Sequence, residues 1–126
     1  MAHIDHFAIF GHDLEALRRF YVETMGMRVV LDNSQAPVRG YFLADPHGVV
    51  LEIIERPQDV AAVETRHACH VAFGVEDLDA TQAQLEALGA VFETQSRVET
   101  ETFRTAFFRD PAGNRCQIAW RASPLV

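Results

Sequence analysis

Residues 3–10 alternate in character, with Phe7 and Ile9 on one side and His6, Ala8 and Phe10 on the other. A period of two predicts a strand. Asp13 follows, and Leu14, Leu17, Tyr21 and Met25 then fall on one helical stripe. Asp13 is expected to cap that helix, and Gly26 to end it in the left-handed conformation. Residues 27–31 and 40–44 read as strands. Asp45-Pro46-His47-Gly48 reads as a turn, and residues 49–55, rich in β-branched side chains, as a last strand. The same order returns downstream: a strand at 69–75, then Asp77 capping a helix that carries Leu78, Leu85 and Leu88, stopped by Gly89. Strands at 90–93 and 104–108, the turn Asp110-Pro111-Ala112-Gly113 and a strand at 115–120 complete it. Phe7, Phe73 and Trp120 are expected in the core under the helices, and the polar stretches 32–39 and 94–102 are expected to be loops.

The two halves are copies of one unit. At an offset of 64, His3 falls on His67, His6 on His70, Ala8 on Ala72, and Asp13-Leu14 on Asp77-Leu78. At an offset of 65, Phe42 falls on Phe107, Asp45-Pro46 on Asp110-Pro111, Gly48 on Gly113 and Ile53 on Ile118. Ordered matches of this kind mark an internal duplication. The fold expected is α+β, two tandem βαβββ modules at residues 1–57 and 66–126, joined by a linker at 58–65, within one domain of 1–126.

Strand periodicity selects the side chains able to do chemistry. A crossover helix followed by a meander makes the first and last strands of each module parallel neighbours. His6 then lies beside Glu52, a carboxylate between Leu51 and Ile53 whose burial is costly unless it is paired or bound to metal. The repeat puts His70 in the place of His6 and Gln117 in the place of Glu52. An approximate two-fold between the halves would gather His6, Glu52, His70 and Gln117 around one point. Two imidazoles, a carboxylate and an amide oxygen suit a divalent first-row ion. His3 and His67 fall on the opposite strand face and read as surface residues, and His12 and His47 as solvated. Cys69 and Cys116 each adjoin a candidate ligand and read as buried, inert thiols.

Composition narrows the partners. All eleven basic residues are Arg, and they are scattered among eighteen Asp and Glu for a net charge of −7. No basic stripe is present, so nucleic acid is not an expected partner. No apolar run is long enough to span a bilayer, and residues 1–6 do not resemble a secretory signal, so a cytoplasmic protein without membrane association is expected. Two Cys with no Cys-x-x-Cys give neither a disulfide framework nor a zinc motif.

The segments His6-Phe7-Ala8-Ile9, Asp45 through Ile53, His70-Val71-Ala72-Phe73, and Asp110 through Ile118 resemble the vicinal oxygen chelate superfamily. That superfamily includes glyoxalase I, methylmalonyl-CoA epimerase, fosfomycin-resistance enzymes and extradiol dioxygenases. The resemblance implies paired βαβββ modules forming a cup-shaped mixed sheet, a homodimer, and a metal site at His6, Glu52, His70 and Gln117. The ion would be nickel, cobalt, zinc, manganese or iron. Glyoxalase I usually has Glu where this chain has Gln117, and its bacterial forms hold glutathione with an Arg and an Asn where this chain has Phe10 and Arg56.

The activity expected is therefore a metal-dependent isomerase, epimerase or lyase. Its substrate would be a small oxygen-chelating carbonyl compound not linked to glutathione, with Glu52 as the base that forms an enolate-type intermediate. Two alternatives stand beside it. An iron-dependent extradiol-type dioxygenase would use the two-His, one-carboxylate composition. A metal-free module of the bleomycin-resistance kind would bind a small molecule without turning it over.

Overall fold

Asp13 and Asp77, each in an extended conformation, start the two helices by accepting a hydrogen bond from the backbone N–H three residues on. They are the anchor points of the computed structural model, which describes residues 1–125. Two compact units are present. One comprises Met1–Val63 together with Pro111–Gly113, and the other comprises Glu64–Asp110 and the chain from Asn114 on.

In the first unit, β1 (Phe7–Gly11) leads into α1 (Leu14–Arg19), followed by β2 (Arg28–Asp32), β3 (Gly40–Ala44) and β4 (Val50–Glu55). The sheet order is β1-β4-β3-β2, with β1 parallel to β4 and the other pairs antiparallel. Helix α1 continues into a π-helical turn at Phe20–Thr24, and Met25 N–H bonds to the Phe20 carbonyl five residues back. That wide turn shifts the stripe: Leu14, Leu17 and Tyr21 are buried as expected, but Met27 rather than Met25 completes the buried face. Ile9, Leu43, Leu51 and Ile53 form the sheet side of this core. Each such side chain contributes on the order of 1.5–3 kcal/mol by leaving water.

The second unit repeats the plan: β5 (Val71–Gly74), α2 (Leu78–Ala87), β6 (Val98–Glu99), β7 (Phe103–Arg109) and β8 (Arg115–Arg121), in the order β5-β8-β7-β6. Leu78, Leu85, Ala106, Phe108, Cys116 and Ile118 are its core. The α+β class and the doubled βαβββ order stand as read from sequence. Several local expectations are corrected. The strand expected at 90–93 is only a bridge from Phe92 to Phe108, and β6 instead lies inside the stretch expected to be a loop. Leu88 is exposed because α2 ends before it and Gly89, at φ 97°, turns the chain away. Phe7 is 44% exposed, since β1 is an edge strand, and Phe73 and Trp120 are only half-buried.

Candidate functional site

Register brings His6 and Glu52 together. Ala8 pairs with Glu52 across the parallel β1–β4 ladder, so His6, two residues earlier, reaches the same face just ahead of β1. Its Nε2 lies 3.3 Å from Glu52 Oε2. Its Nδ1 lies 2.8 Å from Asp5 Oδ2. An imidazole whose Nδ1–H donates to a carboxylate presents its Nε2 lone pair on the other side. Here Nε2 faces a second carboxylate, and a ring nitrogen and a carboxylate oxygen at this distance require a proton or a cation between them. This donor chemistry fits a divalent ion, with Asp5 orienting the ligand.

Phe42, paired with Glu52 across β3–β4, meets the His6 ring edge-on at 5.2 Å between centroids. The second unit reproduces the arrangement. Ala72 pairs with Gln117, Phe107 pairs with Gln117 on the other side, and Phe107 meets the His70 ring edge-on at 5.3 Å. Phe42 and Phe107 are thus the aromatic residues on the faces of the candidate ligands. Tyr41 and Phe108 point the other way into the cores, where the Tyr41 hydroxyl donates to Glu15 Oε1 at 2.7 Å. Among the described residues, no three His, Cys, Asp or Glu side chains form a ready metal cluster.

Gln117 is held more firmly than Glu52. The Thr105 hydroxyl, which is buried, donates to the Ile118 carbonyl at 2.9 Å and accepts from Gln117 Nε2 at 2.5 Å. With its nitrogen committed to Thr105, the amide keeps its oxygen as an acceptor. Behind Phe107 stands the Arg115 guanidinium, 3.9 Å from the ring centroid and doubly bonded to Glu93. Arg115 holds the Glu93 carboxyl far below its usual range, at about 2. Asp5 and Thr105 were not singled out from sequence, where they carry no signal; Phe42 and Phe107 stand out there as aromatic residues matched across the repeat.

The remaining sequence candidates divide. His3, His47 and His67 are exposed, as read. His12 is not simply solvated, because its Nε2 lies 2.6 Å from the Val60 carbonyl. Cys116 is buried, but Cys69 is exposed. Cys69 precedes β5, so strand alternation does not reach it.

The sequence matches the profile of the Glyoxalase/Bleomycin resistance protein/Dioxygenase superfamily over residues 3–118. The chain belongs to this superfamily. No curated protein matches it in sequence. Among solved structures, a glyoxalase family protein from Enterococcus faecalis is 28% identical with a TM-score of 0.72, over 93% of this chain and 96% of that one. The fosfomycin resistance protein FosX from Listeria monocytogenes is 18% identical with a TM-score of 0.78, over 99% and 94%. TnmS3, an antibiotic binding protein from Streptomyces sp. CB03234, is 23% identical with a TM-score of 0.70, over 97% and 98%. The last two likenesses are of fold. The superfamily thus joins proteins named for resistance, for binding and for glyoxalase kinship on one scaffold, and function has to be argued from the site.

Proposed function

We propose that the protein is a metal-dependent, glyoxalase-like isomerase, epimerase or lyase acting on a small carbonyl compound. His6, Glu52, His70 and Gln117 would hold the ion. The observation that carries this reading is His6 Nε2 facing Glu52 Oε2 at 3.3 Å while Asp5 occupies Nδ1. A FosX variant crystallised with Mn(II) and a dihydroxypropylphosphonic acid supports a divalent ion on this scaffold. Bound there, the ion supplies Lewis-acid polarisation of substrate oxygens.

The residues of this chain do the rest. Glu52, only 20% exposed, takes the proton from the carbon beside the carbonyl, and the C–H electron pair moves into the enolate. Returning the proton to the opposite face or to the neighbouring carbon gives the epimer or isomer. Gln117 offers a neutral oxygen where a second carboxylate would add negative charge, so the ion is held less tightly and stays more electrophilic. Phe42 and Phe107 pack against the imidazoles and keep water from their flanks.

The test is metal titration by calorimetry into chelator-stripped protein, using nickel, cobalt, zinc and manganese. One ion per chain is expected, with binding lost in His6→Ala and His70→Ala and thermal stability raised on binding to wild type. Wild-type protein that takes up none of the four ions would overturn the reading.

A further inference from the structure

The two candidate histidines are held by different means. His70 lies just ahead of β5, at the end of a stretch from Glu64 that belongs to no helix or strand. His6 has the same place in the first unit, and there Asp5 fixes the ring by occupying Nδ1. The residue equivalent to Asp5 in the second unit is Cys69, an exposed thiol and a weak acceptor. A histidine that ligates a metal depends on an outer partner to fix its ring, so His70 needs a substitute for that carboxylate.

Arg115 supplies one. Val71 pairs with Cys116 across the parallel β5–β8 ladder, so one residue back along both strands His70 comes alongside Arg115. The guanidinium is committed in several directions at once. Nε and Nη2 form a fork on the Glu93 carboxylate at 3.0 and 2.9 Å, and Nη1 reaches the Arg66 carbonyl at 3.4 Å. Its central carbon lies 3.9 Å from the centroid of Phe107, whose ring meets His70 edge-on at 5.3 Å. The Arg115 backbone grips the same stretch: its N–H donates to Thr65 Oγ1 at 3.0 Å, while the Thr65 carbonyl accepts from Ala68 and Cys69. One residue thus holds the chain leading into His70 and, through Phe107, the flank of the His70 ring. A planar fork with a flat face can make these contacts together, and a point charge such as an ammonium cannot. The repeat supplies a control. The equivalent of Arg115 is Val50, in the unit where Asp5 does the orienting.

We propose that Arg115 is the positioning residue for the His70 imidazole, acting through Phe107 and through the backbone of Thr65 and Arg66. That His70 ligates an ion rests on the function proposed above. The hold on its ring does not.

Two measurements keep these statements apart. The first is proton NMR of the histidine ring signals in chelator-stripped protein, about two pH units above the ordinary imidazole pKa so that protonation does not enter. The Phe107 ring current displaces the His70 signals, which are assigned by their absence in His70→Ala. In Arg115→Met they should move toward the positions of an unstructured histidine, while those of His6 stay in place. Arg115→Lys keeps a cation near Phe107 and one bond to Glu93, so it should show a smaller displacement and serves where the Met variant does not fold. His70 signals that stay put in the folded variants, or that move only together with those of His6, would overturn the proposal. The second measurement is calorimetric titration with nickel, cobalt, zinc and manganese. Arg115→Met should bind about 10–100-fold more weakly than wild type, the loss typical of removing an outer partner of a ligating histidine. Equal affinities would overturn the proposal as well. No uptake of any ion by wild type would sink the metal reading alone, and the ring signals would still decide whether Arg115 sets His70.

Discussion

At the scale of single residues, the choice between Glu and Gln at the equivalent positions 52 and 117 follows from one hydroxyl. Thr105 gives its only proton to the Ile118 carbonyl, so toward Gln117 it can only accept. A carboxylate at 117 has no proton to offer. Either two oxygens repel or Thr105 turns to the carboxylate and gives up its bond to the Ile118 carbonyl. In the first unit the place of Thr105 is taken by Gly40, and Glu52 meets no such hydroxyl. Gln117→Glu is therefore expected to cost about 0.5–1.5 kcal/mol of stability, the net worth of one hydrogen bond lost. In a Thr105→Ala background the same change should cost clearly less. Chemical denaturation of the four proteins of this double-mutant cycle measures the coupling. Additive effects would mean that Thr105 does not select the amide.

At the scale of elements, Gly40 shows how closely β3 and β4 approach. A Cβ added there would lie 2.6 Å from the Ile53 carbonyl oxygen, and backbone cannot move aside as the tip of a side chain can. Gly40→Ala is expected to destabilise by about 1–3 kcal/mol, as for overpacking elsewhere, with a matching fall in Tm; an unchanged Tm would show that the strands have slack. Elements of this kind were legible in the sequence where the rule is short-range. Asp13 and Asp77 cap, and Gly26, Gly48, Gly89 and Gly113 all adopt positive φ, because each depends on a few neighbouring residues. The His6–Glu52 encounter was legible too, since a crossover helix followed by a meander makes β1 and β4 parallel neighbours and alternation puts both side chains on one face. What escaped depends on tertiary partners. The apolar spacing of 90–93 suggested a strand, but Glu93 is drawn to Arg115 and Ser96, and β7 pairs with Val98–Glu99 instead. The π-helical turn left no mark on the apolar stripe until Met27 took the place of Met25.

At the scale of the whole molecule, the first sheet has an edge that one chain leaves unfinished. β2 is an edge strand, and its consecutive residues Val29, Val30 and Leu31 are 40, 42 and 50% exposed. The ladder to β3 is irregular between Val29 and Leu31, so these three exposed apolar side chains gather at a bulge on the open side of the sheet. Soluble proteins avoid leaving such an edge bare, because it recruits other strands. The net charge of −7 disfavours indiscriminate association, which leaves a defined interface as the stable solution. The expected cover is a second copy of the chain, since closed homodimers are the commonest assembly. Light scattering at micromolar concentration should return twice the chain mass of 14.1 kDa. A cation at the centre of the strand should oppose its own image or lose solvation on docking, so Val30→Lys is expected to shift the population toward monomer without unfolding the chain. A wild-type mass of one chain would refute the dimer. A Val30→Lys protein that stays fully dimeric would keep the dimer but move its interface away from β2.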